Sequence, residues 1–226
     1  MQKIVILSGA GMSAESGINT FRDADGLWEG HDVMEVASPE GFMQNPALVL
    51  DFYNQRRQQL LKVNPNAAHN ALATLEKKYD ITIVTQNVDD LHERAGSSDV
   101  LHLHGELLKA RSTKNEQLVY ERTHDIFIGD VCELKSQLRP HIVWFGEAVP
   151  MLEKAIEITM QATNLVVIGT SMQVYPAASL INYIQPNTPI YFIDPKPSVN
   201  ENDFSNLTII AKNATIGVAE LIEKYL

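Results

Sequence analysis

Two histidines stand at alternate positions in Leu101-His102-Leu103-His104-Gly105-Glu106. Imidazole titrates near neutrality, with an unperturbed pKa of about 6.5, so a poised histidine suits general-base work. The same spacing also suits a metal pair, or a strand end with one ring packed and one exposed. A metal needs further ligands, and Glu106 is the only obvious one nearby. A second stretch with chemical potential is Gly9-x-Gly11-x-x-Ala14, directly behind the apolar run Ile4–Leu7. In strand-turn-helix form such glycines let the backbone approach a pyrophosphate, while a helix N-terminus supplies donors. A tight structural turn would use the same glycines. A dehydrogenase-type unit continues into a second strand with an acid ~20 residues on. This chain runs instead to Thr20-Phe21-Arg22 and a long loop, which disfavours a hydride-transferring dehydrogenase.

Five short apolar runs read as the buried strands that would position these groups: Ile4–Leu7, Ile81–Val84, Ile142–Phe145, Leu165–Ile168 and Ile190–Ile193. Continuous rather than alternating runs suit parallel strands covered on both faces. Helical patterns separate them. Residues 46–62 begin with Pro46, 67–79 follow Asn66 as N-cap, and 151–162 and 215–225 are of similar length. The alternation predicts a doubly wound α/β fold. The runs are followed by Ser8-Gly9-Ala10-Gly11, Thr85-Gln86-Asn87-Val88-Asp89, Gly146-Glu147, Gly169-Thr170-Ser171 and Asp194. In an open parallel sheet these tips share one edge, outside the carboxyl ends of the strands, where ligands bind. Residues 109–137 break the rhythm and read as a small inserted lobe, and 23–45 form a second long excursion anchored by Trp28, Val33, Met34, Val36 and Phe42.

Composition sets limits. The 226 residues carry a net charge of −10, which argues against a nucleic-acid binder while leaving room for a cationic protein partner. No apolar run approaches the ~20 residues of a membrane span, and Met1-Gln2-Lys3 lacks the features of a signal peptide. A cytoplasmic monomer is the default expectation. Cys132 is the only cysteine, so intramolecular disulfides and zinc sites with two or more cysteine ligands are excluded.

Taken in order, residues 9–18, Thr20-Phe21-Arg22, Gln86-Asn87-Val88-Asp89, His102-Leu103-His104-Gly105, Val143-Trp144-Phe145-Gly146-Glu147 and Gly169-Thr170-Ser171 resemble the motifs of the sirtuins, NAD-dependent protein lysine deacylases, and most of all their bacterial CobB-type branch. The resemblance spans nearly the whole chain. It implies a Rossmann-like core (about 1–22, 66–108 and 139–226) with small-lobe insertions (about 23–65 and 109–138), and a cleft that admits NAD and acyl-lysine. It implies that the 9–17 loop, including Gly9, Ala10, Gly11, Ser13 and Glu15, holds the pyrophosphate together with Phe21 and Arg22. Gln86, Asn87 and Asp89 would line the ribose and nicotinamide pocket, with Asn87 also catalytic. Gly169, Thr170 and Ser171 would meet the adenosine side, and Trp28, Asp194 and Ala214 complete the cofactor set. Val143, Trp144, Phe145, Gly146 and Glu147 would pair with the substrate backbone as an added strand. His104 would be the general base. In that chemistry the acyl oxygen attacks the nicotinamide ribose, giving nicotinamide, acyl-ADP-ribose and free lysine.

Two departures within the family follow. Most sirtuins hold the small lobe with a zinc bound by four cysteines, which Cys132 and His124 cannot replace. A metal-free lobe packed on Leu118, Val119, Tyr120, Ile126, Phe127 and Ile128 is expected, or else one partly disordered. Tyr53 and Arg56 lie at i and i+3 on the 46–62 helix, whose neighbours Asn54, Gln55, Arg57 and Gln58 read equally as a solvated face. In the desuccinylating and demalonylating sirtuins a Tyr-x-x-Arg pair meets the acyl carboxylate. The resemblance thus implies activity toward acidic acyl groups. Mono-ADP-ribosyl transfer and an NAD or ADP-ribose sensor are the alternatives.

Overall fold

The computed structural model describes residues 2–19, 27–200 and 203–226. Its centre is a six-stranded parallel sheet in the order β11-β10-β9-β1-β4-β5. These strands are β1 (Lys3–Ser8), β4 (Asp80–Thr85), β5 (Val100–His102), β9 (Asn164–Ile168), β10 (Ile190–Ile193) and β11 (Leu207–Ile210). Alternate residues of the continuous runs feed opposite cores. Ile4, Ile6, Ile81, Ile83, Val166 and Ile168 face α4 (Ala67–Leu75) and α7 (Ala214–Lys224) through Leu72, Val218 and Leu221. Val5, Leu7, Val84, Leu165 and Val167 face α6 (Leu152–Met160) and the 3₁₀ segment Ala177–Tyr183. Two covered faces explain why these strands do not alternate in polarity.

The chain moves from β1 outward through β4 and β5, then returns to the other side of β1 and moves outward through β9, β10 and β11. The direction reverses between β1 and β9, and the crevice of an open α/β sheet lies at such a switch point.

A second layer stands beside this edge. It holds a two-residue pair, β2 (Leu27–Trp28) with β3 (His31–Asp32), and the helices α1 (Val33–Val36), α2 (Pro39–Gln44) and α3 (Pro46–Leu60). It also holds an antiparallel sheet, β7-β6-β8, made of β6 (Gly105–Ser112), β7 (Val119–Glu121) and β8 (Leu138–Ile142). One short helix, α5 (Leu91–Arg94), follows the tip of β4. Here one expectation is corrected: Ile142–Phe145 is not a strand of the parallel sheet. The strand is β8, it pairs antiparallel with β6, and it ends at Ile142. Apolar continuity alone did not separate the end of one sheet from the start of another.

Hydrogen bonds anchor the 109–138 region to α3. Asn54 Nδ2 donates to the Ile126 carbonyl and Asn54 Oδ1 accepts from the Ile126 amide, both at 2.9 Å. Around this clip Leu50, Ala110, Ile126, Cys132 and Leu138 form a small apolar nucleus. Tyr120 packs against it, but Val119, Phe127 and Ile128 are exposed, so the expected packing set is corrected in part. Among the described residues no group of three or more His, Cys, Asp or Glu side chains could hold a metal.

Candidate active site

The loop after β1 meets the tip of β9 at very close range. The Gly9 amide donates to the Ile168 carbonyl and the Gly11 amide to the Gly169 carbonyl, at 2.9 and 2.8 Å. A Cβ on Gly11 would lie 2.6 Å from the Gly169 Cα, so only glycine permits this approach. Gly169 also adopts φ +61. The strand-turn-helix expectation is corrected here: two short 3₁₀ turns, Ala10–Met12 and Ala14–Ser16, follow β1 in place of an α-helix.

Beneath the loop the tip of β4 builds a polar floor. Ser13 Oγ donates to Asp89 Oδ2 at 2.9 Å and accepts from Asn87 Nδ2 at 3.1 Å. Gln86 Nε2 donates to Thr170 Oγ1 at 3.1 Å, joining the β4 and β9 tips. Burial pushes the Asp89 carboxyl up to about 6, against the pull of the Leu91 amide and Ser13. Asp194 sits at the end of β10, buried, with Oδ1 accepting from the Lys196 amide. Glu15 reaches away from this floor: its carboxylate accepts from the Thr215 amide and hydroxyl, tying the loop to the start of α7. Ala214 packs into the core at that same helix start. Half-buried Ser171 uses its carbonyl to accept from Ser198 Oγ. Phe21 and Arg22 lie outside the described residues.

The two histidines differ chemically. His102 is engaged at both ring nitrogens: Nδ1 with the Asn87 carbonyl at 3.0 Å, Nε2 with Glu93 Oε1 at 2.6 Å. Burial opposes its charged form, but Glu93 and the carbonyl outweigh burial and raise its pKa. His104 bonds through Nδ1 alone, to the Gln86 carbonyl at 3.1 Å. A carbonyl only accepts, so Nδ1 carries the proton and neutral His104 presents a bare Nε2 lone pair. Burial lowers its pKa, with the Gln86 carbonyl pulling the other way. His104 therefore keeps a neutral ring with a free Nε2, while His102, held by Glu93 and a carbonyl, is drawn toward its charged form.

The stretch after β8 packs against this group and against α3. The Val143 amide donates to the His104 carbonyl and the Phe145 amide to the Ala37 carbonyl, both at 2.9 Å. The Trp144 amide donates to Glu147 Oε2. With the Glu147 amide donating to the Trp144 carbonyl at 3.0 Å, four of the five amides in Val143–Glu147 are engaged internally, which narrows any added-strand pairing to the groups around exposed Gly146. Trp144 Nε1 donates to the Tyr53 hydroxyl at 2.9 Å. Tyr53 is fully buried, so it and Arg56 do not share one open face. Arg56 is half-buried, with its guanidinium 4.8 Å over the Phe52 ring and a buried Nε that has no partner among the described residues. Trp28 stands edge-on to Phe52 and Tyr53 at 4.9 and 6.1 Å, with this cluster on α3.

Several buried polar groups escaped the sequence. Arg57, read as part of a solvated face, is fully buried, donating to the Leu107 carbonyl and to Asn54 Oδ1. Burial draws its pKa down to about 10. His69 and His92 meet edge-on at 4.9 Å beneath the polar floor. His69 Nδ1 accepts from the Asn66 amide, closing a capping box at the start of α4. Its proton is therefore on Nε2. Ser8 Oγ donates to Thr85 Oγ1, so His92 Nε2 must donate to Ser8 Oγ, leaving a bare Nδ1. The His69 Nε2 donor and the His92 Nδ1 acceptor are the two buried ring nitrogens of the pair without partners among the described residues, and they are complementary.

An open parallel sheet with glycine-closed tips and a polar floor at its switch point defines a dinucleotide-binding α/β protein. The Sir2 family pattern matches residues 9–176, and the chain belongs to the Sir2 family, the sirtuins. It is 61% identical over 224 residues, 99% of this chain and 97% of the relative, to a Helicobacter pylori (strain ATCC 700392 / 26695) protein named NAD-dependent protein deacylase. Among solved structures it is similar to a Sir2 homologue in complex with NAD (TM-score 0.86, 38% identity, 98% of this chain and 88% of that one). It is also similar to a Sir2 protein bound to an acetylated peptide (TM-score 0.80, 28% identity, 98% and 92%).

Proposed function

We propose that this chain is an NAD-dependent protein lysine deacylase whose acyl site accepts acidic groups such as succinyl and malonyl. The coarse part, NAD-dependent protein deacylation, follows from family membership and from the activity that the 61% identical relative is named for. The observation that carries the mechanism is the one-sided tether of His104, which leaves a single basic nitrogen beside the Gln86–Asn87–Asp89 floor.

The donor chemistry of the cleft fits NAD. Gly9, Gly11 and Gly169 keep side chains out of the space between the tips, and Gln86, Asn87, Ser13 and Thr170 offer neutral hydroxyls and amides suited to ribose oxygens. When bound, NAD supplies a ribose carbon that loses nicotinamide and accepts the acyl oxygen. His104 takes up a hydroxyl proton at Nε2. Asn87 and Asp89 act as one unit with Ser13, so the amide is held in a fixed direction. A neutral amide oxygen is a weak nucleophile, so positioning and exclusion of water by the cleft walls carry much of the catalysis.

The acidic-acyl reading rests on Arg56. A guanidinium nitrogen buried without an acceptor is costly, and a carboxylate reaching it would remove that cost through charge-assisted hydrogen bonds. Tyr53 steadies the wall behind it: its hydroxyl accepts from Trp144 and keeps its own proton to donate.

Mass spectrometry of acetyl-, succinyl- and malonyl-lysine peptides incubated with NAD tests the reading. Loss of acyl with release of nicotinamide is expected. Gain of ADP-ribose on the peptide would assign mono-ADP-ribosyl transfer, and no change in either would assign a sensor.

A further inference from the structure

On the far side of Trp144 lies a cavity of about 530 Å³ that the deacylation chemistry does not use. Its ionisable lining is Arg111, Lys114, Arg139, Glu116 and Glu147, one positive charge in excess in a chain whose net charge is −10. Phe42 and Trp144 form an apolar wall, their rings 5.3 Å apart.

Of the two carboxylates in this lining, Glu147 is already saturated. Glu147 Oε1 accepts from Arg139 Nη1 at 2.7 Å, and Oε2 accepts from Arg139 Nη2, Arg111 Nη2 and the Trp144 amide at 2.9, 3.0 and 2.8 Å. One carboxylate thus faces two guanidiniums whose side chains are only 7% and 9% exposed. Arg139 is fixed further by stacking 3.3 Å over the Trp144 ring and by donating to the Ile142 carbonyl. Arg111 is different: it donates through Nη2 alone, and its other N–H groups meet no acceptor among the described residues. A guanidinium more than nine-tenths buried, with spare donors at a cavity wall, is a receptor for a second carboxylate. Lys114 is exposed in the turn after β6 and sets the sign of the rim.

Trp144 and Glu147 belong both to this cavity and to Val143–Glu147, the stretch that the sirtuin resemblance assigns to the substrate backbone. We infer that the cavity takes an aspartate or glutamate side chain of the substrate polypeptide close to the acyl-lysine, so that the enzyme selects acidic sequence contexts. The inference rests on the deacylase reading and adds a sequence preference to it. The acidic side chain pairs with Arg111, its backbone neighbours lie on the Phe42–Trp144 wall, and Lys114 attracts it from the rim. Carboxylate recognition explains why two arginines share one glutamate here: the fourth partner comes with the substrate.

The test uses succinyl-lysine peptides that carry glutamate, alanine or lysine at positions flanking the acyl-lysine, with NAD saturating. Peptide binding is followed in parallel by fluorescence anisotropy. The expected result is a kcat/KM roughly tenfold higher for glutamate than for alanine at one or more flanking positions, lower again for lysine, with the difference in KM and Kd rather than kcat. Lys114→Glu, a surface change that leaves Arg111, Arg139 and Glu147 in place, should abolish that preference and leave turnover of the alanine peptide unchanged. Equal kcat/KM and Kd for glutamate and alanine peptides at every flanking position would overturn the inference. So would a Lys114→Glu variant that keeps the preference or slows all peptides alike. Inhibition of alanine-peptide turnover by citrate or phosphate, relieved in Lys114→Glu, would assign the cavity to a free anion and overturn it as well. Absence of turnover on every acyl peptide would instead overturn the deacylase reading, and this inference with it.

Discussion

Replacing His69 by glutamine separates the stability role of a buried histidine from its packing. Burial lowers His69 to about 4 and His92 to about 3, against about 6.5 in an unfolded chain. Between those values the unfolded chain holds protons that the folded one does not. Stability therefore rises with pH across this window and falls as the solution is acidified. Asp89 works the other way. Its carboxyl, raised to about 6, keeps a proton in the folded state that the unfolded state has already lost, so it opposes one histidine between about pH 4.5 and 6. Two histidines against one carboxyl leave a net slope of about 1.4 kcal/mol per pH unit.

Glutamine is chosen because residue 69 is the third helical position of a capping box, where a glutamine Oε1 can accept the Asn66 amide as His69 Nδ1 does. The edge-on contact with His92 is lost, at a cost of about 1 kcal/mol that does not depend on pH. The titration is lost with it. Relative to the parent, His69→Gln should gain about 2–3 kcal/mol between pH 7 and pH 4.5, so it is the less stable protein at pH 7 and the more stable one at pH 4.5. Urea unfolding followed by tryptophan fluorescence across that range gives both curves. Parallel curves, with a constant offset, would refute the argument that burial of a neutral His69 underlies the acid lability.

His104→Ala should lower deacylation ~10²–10⁴-fold while NAD binding survives, as measured by single-turnover assays and calorimetry; His102→Ala should chiefly lower the melting temperature, because it breaks the Glu93 ion pair. In the parent enzyme kcat should rise with pH through a midpoint below the ordinary histidine value of about 6.5, since burial depresses His104, and a midpoint above that value would contradict the assignment. Arg56→Met should cost ~2–4 kcal/mol, roughly 30- to 1,000-fold in kcat/KM, on succinyl-lysine and little on acetyl-lysine, whereas parallel losses would make Arg56 scaffold. Prolonged chelation should leave the melting temperature and activity unchanged, and zinc released stoichiometrically with activity would contradict the metal-free lobe.

Much of the parallel sheet was legible because β1, β4, β9 and β10 are continuous apolar runs, each flanked by polar or glycine residues that mark the tip. β5 and β11 were not. Val100-Leu101-His102 is too short to show a period, and Leu207–Ile210 is only partly buried. β8 was misplaced because Leu-Arg-Pro-His-Ile hides a strand behind a proline, an arginine and a histidine. Arg139 is buried there only because Glu147, eight residues on, returns to pair with it. No local pattern announces such a partner. The histidine motif was legible as a pair, but both rings meet a backbone carbonyl through Nδ1, and only Glu93 at Nε2 of His102 tells the two apart.

Helix α3 shows why polar residues on a helix do not by themselves make a solvated face. One turn carries Tyr53, Asn54, Arg56 and Arg57, and each has a different task set by what surrounds it. Asn54 presents both its donor and its acceptor to the backbone of one residue, Ile126, in the 109–138 region, and a side-chain amide can do this where a metal would need four ligands. Arg57 supports that clip from beneath, donating to Asn54 Oδ1 and to β6. Tyr53 fixes Trp144, whose ring also carries Arg139. The helix thus joins the lobe, the segment proposed to hold substrate and the candidate acyl wall in one rigid element. A shift of the lobe would be felt at Arg56 through a single turn. Exact polar pairing, rather than apolar area, sets the register of these parts, because leaving any one of these buried donors or acceptors unmatched costs about 1–3 kcal/mol, a large share of a stability of ~5–15 kcal/mol.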